Sequence, residues 1–146
     1  MRQFIVLVGN NGTGKTYYSQ NHFSKDYQIV RPDDFSGNKE QIHKKIITEI
    51  ESGLKNNQTI VLDGLNLQKS FRKQLLYFLN RFPDYKKKII DFGSGNQKTL
   101  QRLIADRPYK SESEWTKIHE INYKSYEKPT LDEGYDEIIH IENNFA

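Results

Sequence analysis

An apolar run over residues 4–8 breaks at Gly9 into Asn10-Asn11-Gly12-Thr13-Gly14-Lys15-Thr16, and a helical pattern starts where the break ends. Few arrangements constrain a chain more. Glycines let the backbone bend around an anion with its N–H groups turned inward, and the start of the following helix adds positive partial charge. The spacing G-x-x-x-x-G-K-T puts one lysine, Lys15, where it reaches the β- and γ-phosphates of a nucleoside triphosphate. It also puts one hydroxyl, Thr16, where it ligates Mg²⁺. Such a loop needs a strand before it and a helix after it, which is what flanks it here.

The rest of the chain continues that alternation. Short apolar runs at 27–30, 59–62, 88–92 and 137–141 read as further buried strands. Between them lie helical patterns at 16–23, at 39–53 with Gly53 as the stop, at 70–82 with Pro83 as the stop, at 96–105 and at 112–126. The expectation is an α/β fold: a three-layer α/β/α P-loop NTPase with a five-stranded parallel sheet. Residues 1–146 suffice for one domain, and no repeat or linker divides them. Ligands of such sheets sit beyond the carboxyl ends of the strands, where the glycine loop, Asp33 and Asp63 all fall.

Composition excludes several classes. There is no cysteine, and the four histidines lack metal-ligand spacing, so neither a disulfide framework nor a structural zinc is expected. The N-terminal apolar run is too short for a signal peptide or a membrane span, and a cytoplasmic protein without a membrane role is expected. The net charge of +3 is unevenly spread. From Lys69 to Lys110 the basic residues face only Asp84, Asp91 and Asp106, whereas Glu127, Asp132, Glu133, Asp136, Glu137 and Glu142 make the tail acidic. A basic middle suits phosphate-rich ligands, and a solvated helical face accounts for it equally.

Two acidic sites and two arginines complete the candidate machinery. Asp63 ends the run Ile60-Val61-Leu62, the usual form of a carboxylate that supports the magnesium or its water shell. In Arg31-Pro32-Asp33-Asp34-Phe35, one acid can face the cleft as general base while the other caps the next helix or faces solvent; Asp33 is assigned as the base. Both also fit an ordinary turn. Arg102 and Arg107, on and after a helix leading to Pro108, can meet the charge that develops in phosphoryl transfer, or serve solubility. Tyr17, Tyr18, Phe35 and Tyr109 can stack on a base or pack.

Together "GNNGTGKT", "RPDDF", "VLDGLNLQKSFRK", "LQRLIADRP" and "YEKPTLDEGYDEIIHI", in that order, resemble the small P-loop kinases grouped with the kinase domain of phage polynucleotide 5′-hydroxyl kinase. The resemblance covers nearly the whole chain. It implies a nucleoside-kinase-like sheet with a small helical lid at about 96–113. It also implies ATP and Mg²⁺ bound by Gly9, Asn10, Asn11, Gly12, Thr13, Gly14, Lys15 and Thr16, with Asp63 organising the metal. Lys15, Asp33, Arg107 and Arg102 would then be the catalytic residues, and Asn66 and Arg72 would orient the site. The implied activity is ATP-dependent transfer of the γ-phosphate to a hydroxyl, foremost the 5′-hydroxyl of a polynucleotide. The family's pattern has an arginine shortly after the paired aspartates where this chain has Ser36, which keeps a nucleoside, nucleotide, other small alcohol or modified DNA base open as acceptor. A nucleotide-binding ATPase switch, with water as acceptor, is the third reading; no Asn-Lys-x-Asp guanine motif is present.

Overall fold

The computed structural model describes residues 2–141; Glu142, the last acid of the predicted tail, lies outside the described residues. Five strands, β1 (Gln3–Val8), β2 (Gln28–Val30), β3 (Ile60–Asp63), β4 (Lys86–Asp91) and β5 (Glu137–His140), form one sheet in the order β2-β3-β1-β4-β5. Every pairing is parallel, with Leu7 opposite both Asp63 and Ile90. Parallel strands need crossovers, which are supplied by α1 (Lys15–His22), α2 (Lys39–Lys55), α3 (Lys69–Leu79), α4 (Gln97–Asp106) and α5 (Glu112–Ser125).

The unbroken apolar character of β1 follows from burial on both faces. Phe4, Val6 and Val8 point into a core with Ile50 and Leu54 of α2 and Leu75, Leu76 and Leu79 of α3. Ile5 and Leu7 point the other way, toward Tyr18 of α1, Phe23 and Phe92. The result is the three-layer α/β/α P-loop fold with a five-stranded parallel sheet. Leu100 and Leu103 of α4 and Trp115 of α5 make a third, separate cluster.

Most element ends fall within one to three residues of expectation, and one differs for a clear reason. Gly53 does not end α2; the helix runs to Lys55 and is capped at Asn56. Gly53 is buried instead where α2 crosses the sheet, and a methyl there would meet Gln28 Oε1 and, at 2.8 Å, Ile60 Cδ1. The positive φ expected of a helix stop belongs to Asn57, at 58°.

Candidate active site

The phosphate loop leaves β1 at the centre of the sheet, between β3 and β4, the point where chain order reverses and ligands collect. Gly12 and Gly14 take left-handed φ of 80° and 94°. A methyl on Gly12 would meet Leu103 Cγ and the Thr99 carbonyl, both at 2.8 Å, so the loop lies tightly beneath α4. Gly14 caps α1 without a side chain, and the first turn of α1 carries no acid. Helices α2, α4 and α5 each start with a reciprocal capping box, and the first N–H of α3 donates to Glu127 Oε1. Helix α1 is thus left with unspent N–H groups and uncompensated positive charge at its start, which is what an anion needs.

Lys15 folds back over the loop, and its Nζ donates to the carbonyls of Gly9 and Asn10. Burial pushes its amine down to about 8; Asp63 raises it, Arg107 lowers it and Asp33 raises it. Those three charges are the predicted partners, and they converge on the predicted lysine. Gly9 is the one predicted loop residue that does not line the cleft. It is buried, its N–H donates to the Leu65 carbonyl, and a methyl would lie 2.9 Å from Phe92 Cβ and Thr13 Oγ1. Its contribution is packing beneath the loop.

A cleft of about 760 Å³ brings together Asn10 to Tyr17, Arg31, Asp33, Asp63, Arg102 and Arg107. Asp33 sits in a 3-10 turn (Pro32–Asp34) directly after β2 and is exposed at the cleft wall. Asp34 is exposed, does not line the cleft and caps no helix; α2 is capped by Asn38. Asp63, its side chain 5% exposed, accepts from Arg31 Nε at 3.0 Å. Tyr17 and Tyr109, 70% and 72% exposed, stand at the cleft, whereas Tyr18 stacks on His22 and Phe35 packs on the core.

Arg107 is set by its backbone. The indole N–H of Trp115, on α5, donates to the Arg107 carbonyl at 2.8 Å, and the Arg107 N–H donates to Leu103 at 3.0 Å. The Asn10 amide ties the phosphate loop to the same region, donating to the carbonyls of Ser94 (2.9 Å) and His119 (3.0 Å). The His119 ring pairs with Thr99 Oγ1 at 2.9 Å, and burial lowers its pKa.

The basic run from Lys69 to Lys110 does not form one face. Arg102, Arg107 and Lys110 line the cleft. Lys86 and Lys88 both meet Glu137, and Lys87 is buried with Nζ on the Phe82 carbonyl. Arg72 is fully buried: Nε and Nη2 grip Glu133 at 2.8 and 3.0 Å, and the guanidinium also serves the carbonyls of Asn66, Leu67 and Glu127. It does not reach the cleft. It holds the β3–α3 loop, from which Asn66 Nδ2 donates to the Leu7 carbonyl at 2.7 Å and the Leu65 carbonyl receives the Gly9 N–H.

Among the described residues no group of three or more His, Asp or Glu could cage a metal ion. A divalent cation here would have to be held chiefly by substrate phosphates, with the Thr16 hydroxyl and the Asp63 carboxylate, both lining the cleft, as the protein donors at hand. Among the described residues no helix is long and apolar enough to cross a membrane.

The chain resembles several solved structures. A fungal RNA kinase superimposes with a TM-score of 0.71 at 17% identity, over 96% of this chain and 75% of that one. Kti12 of Chaetomium thermophilum, solved in complex with ADP-AlF3, gives 0.69 at 14% identity over 98% and 90%. A gluconokinase from Sinorhizobium meliloti 1021 gives 0.61 at 14% identity over 100% and 86%. At such identities the likeness is one of fold, and the fold is that of P-loop kinases. Among curated proteins, none matches the sequence significantly. Residues 4–137 match the family model described as Chromatin associated protein KTI12, and with nearly the whole chain covered, the protein belongs to the KTI12 family.

Proposed function

We propose that the protein is an ATP·Mg²⁺-dependent phosphotransferase that moves the γ-phosphate to a hydroxyl, with the 5′-hydroxyl of a polynucleotide as acceptor. One observation carries this reading: the phosphate loop, the carboxylates of Asp33 and Asp63 and the arginines of the α4–α5 segment face a single cleft, and the carboxylates and Arg107 act on the charge of Lys15. In it, the start of α1 and Lys15 hold the β- and γ-phosphates, and Arg107 and Arg102 approach from a lid spanning residues 96–113. Bound Mg²⁺ would neutralise the phosphate oxygens, placed by Thr16 and Asp63. Asp33 takes the proton of the acceptor hydroxyl as its oxygen attacks the γ-phosphorus. The bond to the β–γ bridging oxygen breaks, and ADP leaves with its charge met by Lys15.

Water as acceptor, giving an ATPase, is the second reading, and the solvent exposure of Asp33 favours it. Incubation with γ-labelled ATP and 5′-hydroxyl oligonucleotides separates the two. Transfer of label to the strand is expected, and Asp33→Asn should lower kcat by about 10²- to 10⁴-fold with KM for ATP held. Label released only as inorganic phosphate, at a rate Asp33→Asn does not change, selects the ATPase.

A further inference from the structure

The buried stripe of α5 holds two parts of the cleft at once. The indole N–H of Trp115 donates to the Arg107 carbonyl, and one turn further on the His119 carbonyl accepts from the Asn10 side chain of the phosphate loop. The two attachments lie about 6 Å apart along the helix axis. That spacing is constant only while α5 neither turns nor slides, and one side chain secures it: His119 Nε2 pairs with Thr99 Oγ1 of α4 at 2.9 Å.

The junction around this ring is closely built. His119 is 6% exposed and Thr99 0%. A methyl on Gly95 would lie 2.7 Å from His119 Nε2, 2.9 Å from Thr99 Oγ1 and 3.3 Å from Asn10 Nδ2, so the β4–α4 loop, α4, α5 and the phosphate loop all meet here. Thr99 Oγ1 also accepts the Asn96 N–H at 2.9 Å and donates to the Asn96 carbonyl at 2.8 Å. With its own proton on that carbonyl, the hydroxyl is the acceptor for the ring, and the network assigns the neutral Nε2–H tautomer. Thr99, Gly95 and Asn10 carry no charge, and Glu120, next on α5, is turned to solvent and paired with Lys124 at 3.0 Å. Burial lowers the ring's pKa from its ordinary 6.5. A second proton would place a cation without a partner among neutral groups, which favours leaving the junction over staying in it.

We propose that His119 is a positioning residue for phosphoryl transfer: the neutral ring pins α5 to α4, α5 thereby fixes the spacing between Arg107 and the phosphate loop, and a proton on the ring releases it. The inference rests on the reading above in which Arg107 meets the transferred phosphate.

Trp115, the one tryptophan in the chain, reports on the latch because its indole is bonded within it. Wild type, His119→Gln and His119→Ala are compared from about pH 8 down to about pH 5, by tryptophan emission and by ADP formation with saturating 5′-hydroxyl oligonucleotide. Glutamine keeps an amide donor for Thr99 and has no proton to gain. In the wild type, emission should shift to the red and kcat fall about 10-fold in the same one-proton step, centred below 6.5, with KM for ATP nearly constant. His119→Gln should show neither change. At the upper end of the range His119→Ala should lose about 10-fold in kcat with KM for ATP held, and His119→Gln should recover most of that loss.

Flat emission or flat kcat in the wild type overturns the proposal. So does the same step in His119→Gln, which assigns it to another group, or a loss that falls on KM for ATP in place of kcat. Should His119→Ala melt early, wild type and His119→Gln decide between these outcomes without it. Those results leave phosphotransfer standing, whereas bound ATP with no ADP formed by any of the three proteins removes phosphotransfer and this inference together.

Discussion

Arg72→Met isolates the largest electrostatic commitment in the core. Arg72 is 0% exposed and the Glu133 side chain 1%, so the variant strands a carboxylate with no cation and no route to water. Breaking a buried pair from one side costs about 3–5 kcal/mol, and three loop carbonyls losing their donor bring the total to about 4–7 kcal/mol. Against the roughly 5–15 kcal/mol that holds a domain of this size together, that is about half of its stability. At about 3 °C per kcal/mol the melting temperature should fall by about 12–20 °C. Arg72→Met combined with Glu133→Gln removes the stranded charge and keeps an acceptor for the Thr130 N–H, so the double variant should regain about 2–4 kcal/mol over Arg72→Met alone. Urea unfolding followed by circular dichroism, at matched m-values, gives both numbers. A single variant that loses under about 1 kcal/mol, or a double variant no more stable than the single, would refute the reasoning.

Two further outcomes are expected. With Lys15 lowered to about 8 by burial, ATP affinity should hold below that pH and decline above it, with proton uptake on binding that calorimetry in buffers of different ionisation heat detects and Lys15→Ala abolishes. In the free protein the sign is opposite. Between about 8 and 10.5 the unfolded chain keeps the proton that native Lys15 has released, so this group adds stability as pH rises through that window. Second, among the described residues only Arg31, Arg102, Arg107 and Lys110 supply cleft cations beyond the loop, so the log–log salt slope for oligonucleotide binding should be no steeper than about −3, where a continuous basic face from Lys69 to Lys110 would give a far steeper one.

The parts legible in the sequence are those written in contiguous residues. The phosphate loop is eight residues long and carries its own strand and helix signals; Asp63 ends one apolar run and Asp33 follows another by three residues, and the parallel stacking of those runs puts them on one edge. What escaped depends on partners far apart in the chain. The resemblance marks Arg72 as a residue that orients the site, but its buried partner Glu133, 61 residues later, leaves no local trace beside it. Arg31 sits inside a motif that was recognised, but its ion pair with Asp63 spans 32 residues and leaves no local trace. Gly53 looks like a helix stop because glycine serves both as a stop and as a close-packing residue, and only the approach of Ile60 decides between them. Pro83 is nearer to a readable signal: α3 ends at Leu79, and the proline follows its cap by three residues.

The bonds of Asn10 bear on how this chain's sequence is free to drift. Its amide donates to two main-chain carbonyls, Ser94 and His119, and its own oxygen accepts the Asn11 N–H at 2.7 Å. Substitution of the side chains at 94 or 119 leaves those carbonyls in place, so neither partner records the contact in its identity. Position 10 has no such latitude: aspartate lacks the donor, leucine lacks both functions, and glutamine overreaches a residue that is 0% exposed. Asn10 is therefore a position at which the loop pattern reads "any residue" while the architecture accepts one, and a redesign that treated it as a free slot would cut the phosphate loop loose from the helices that close over it.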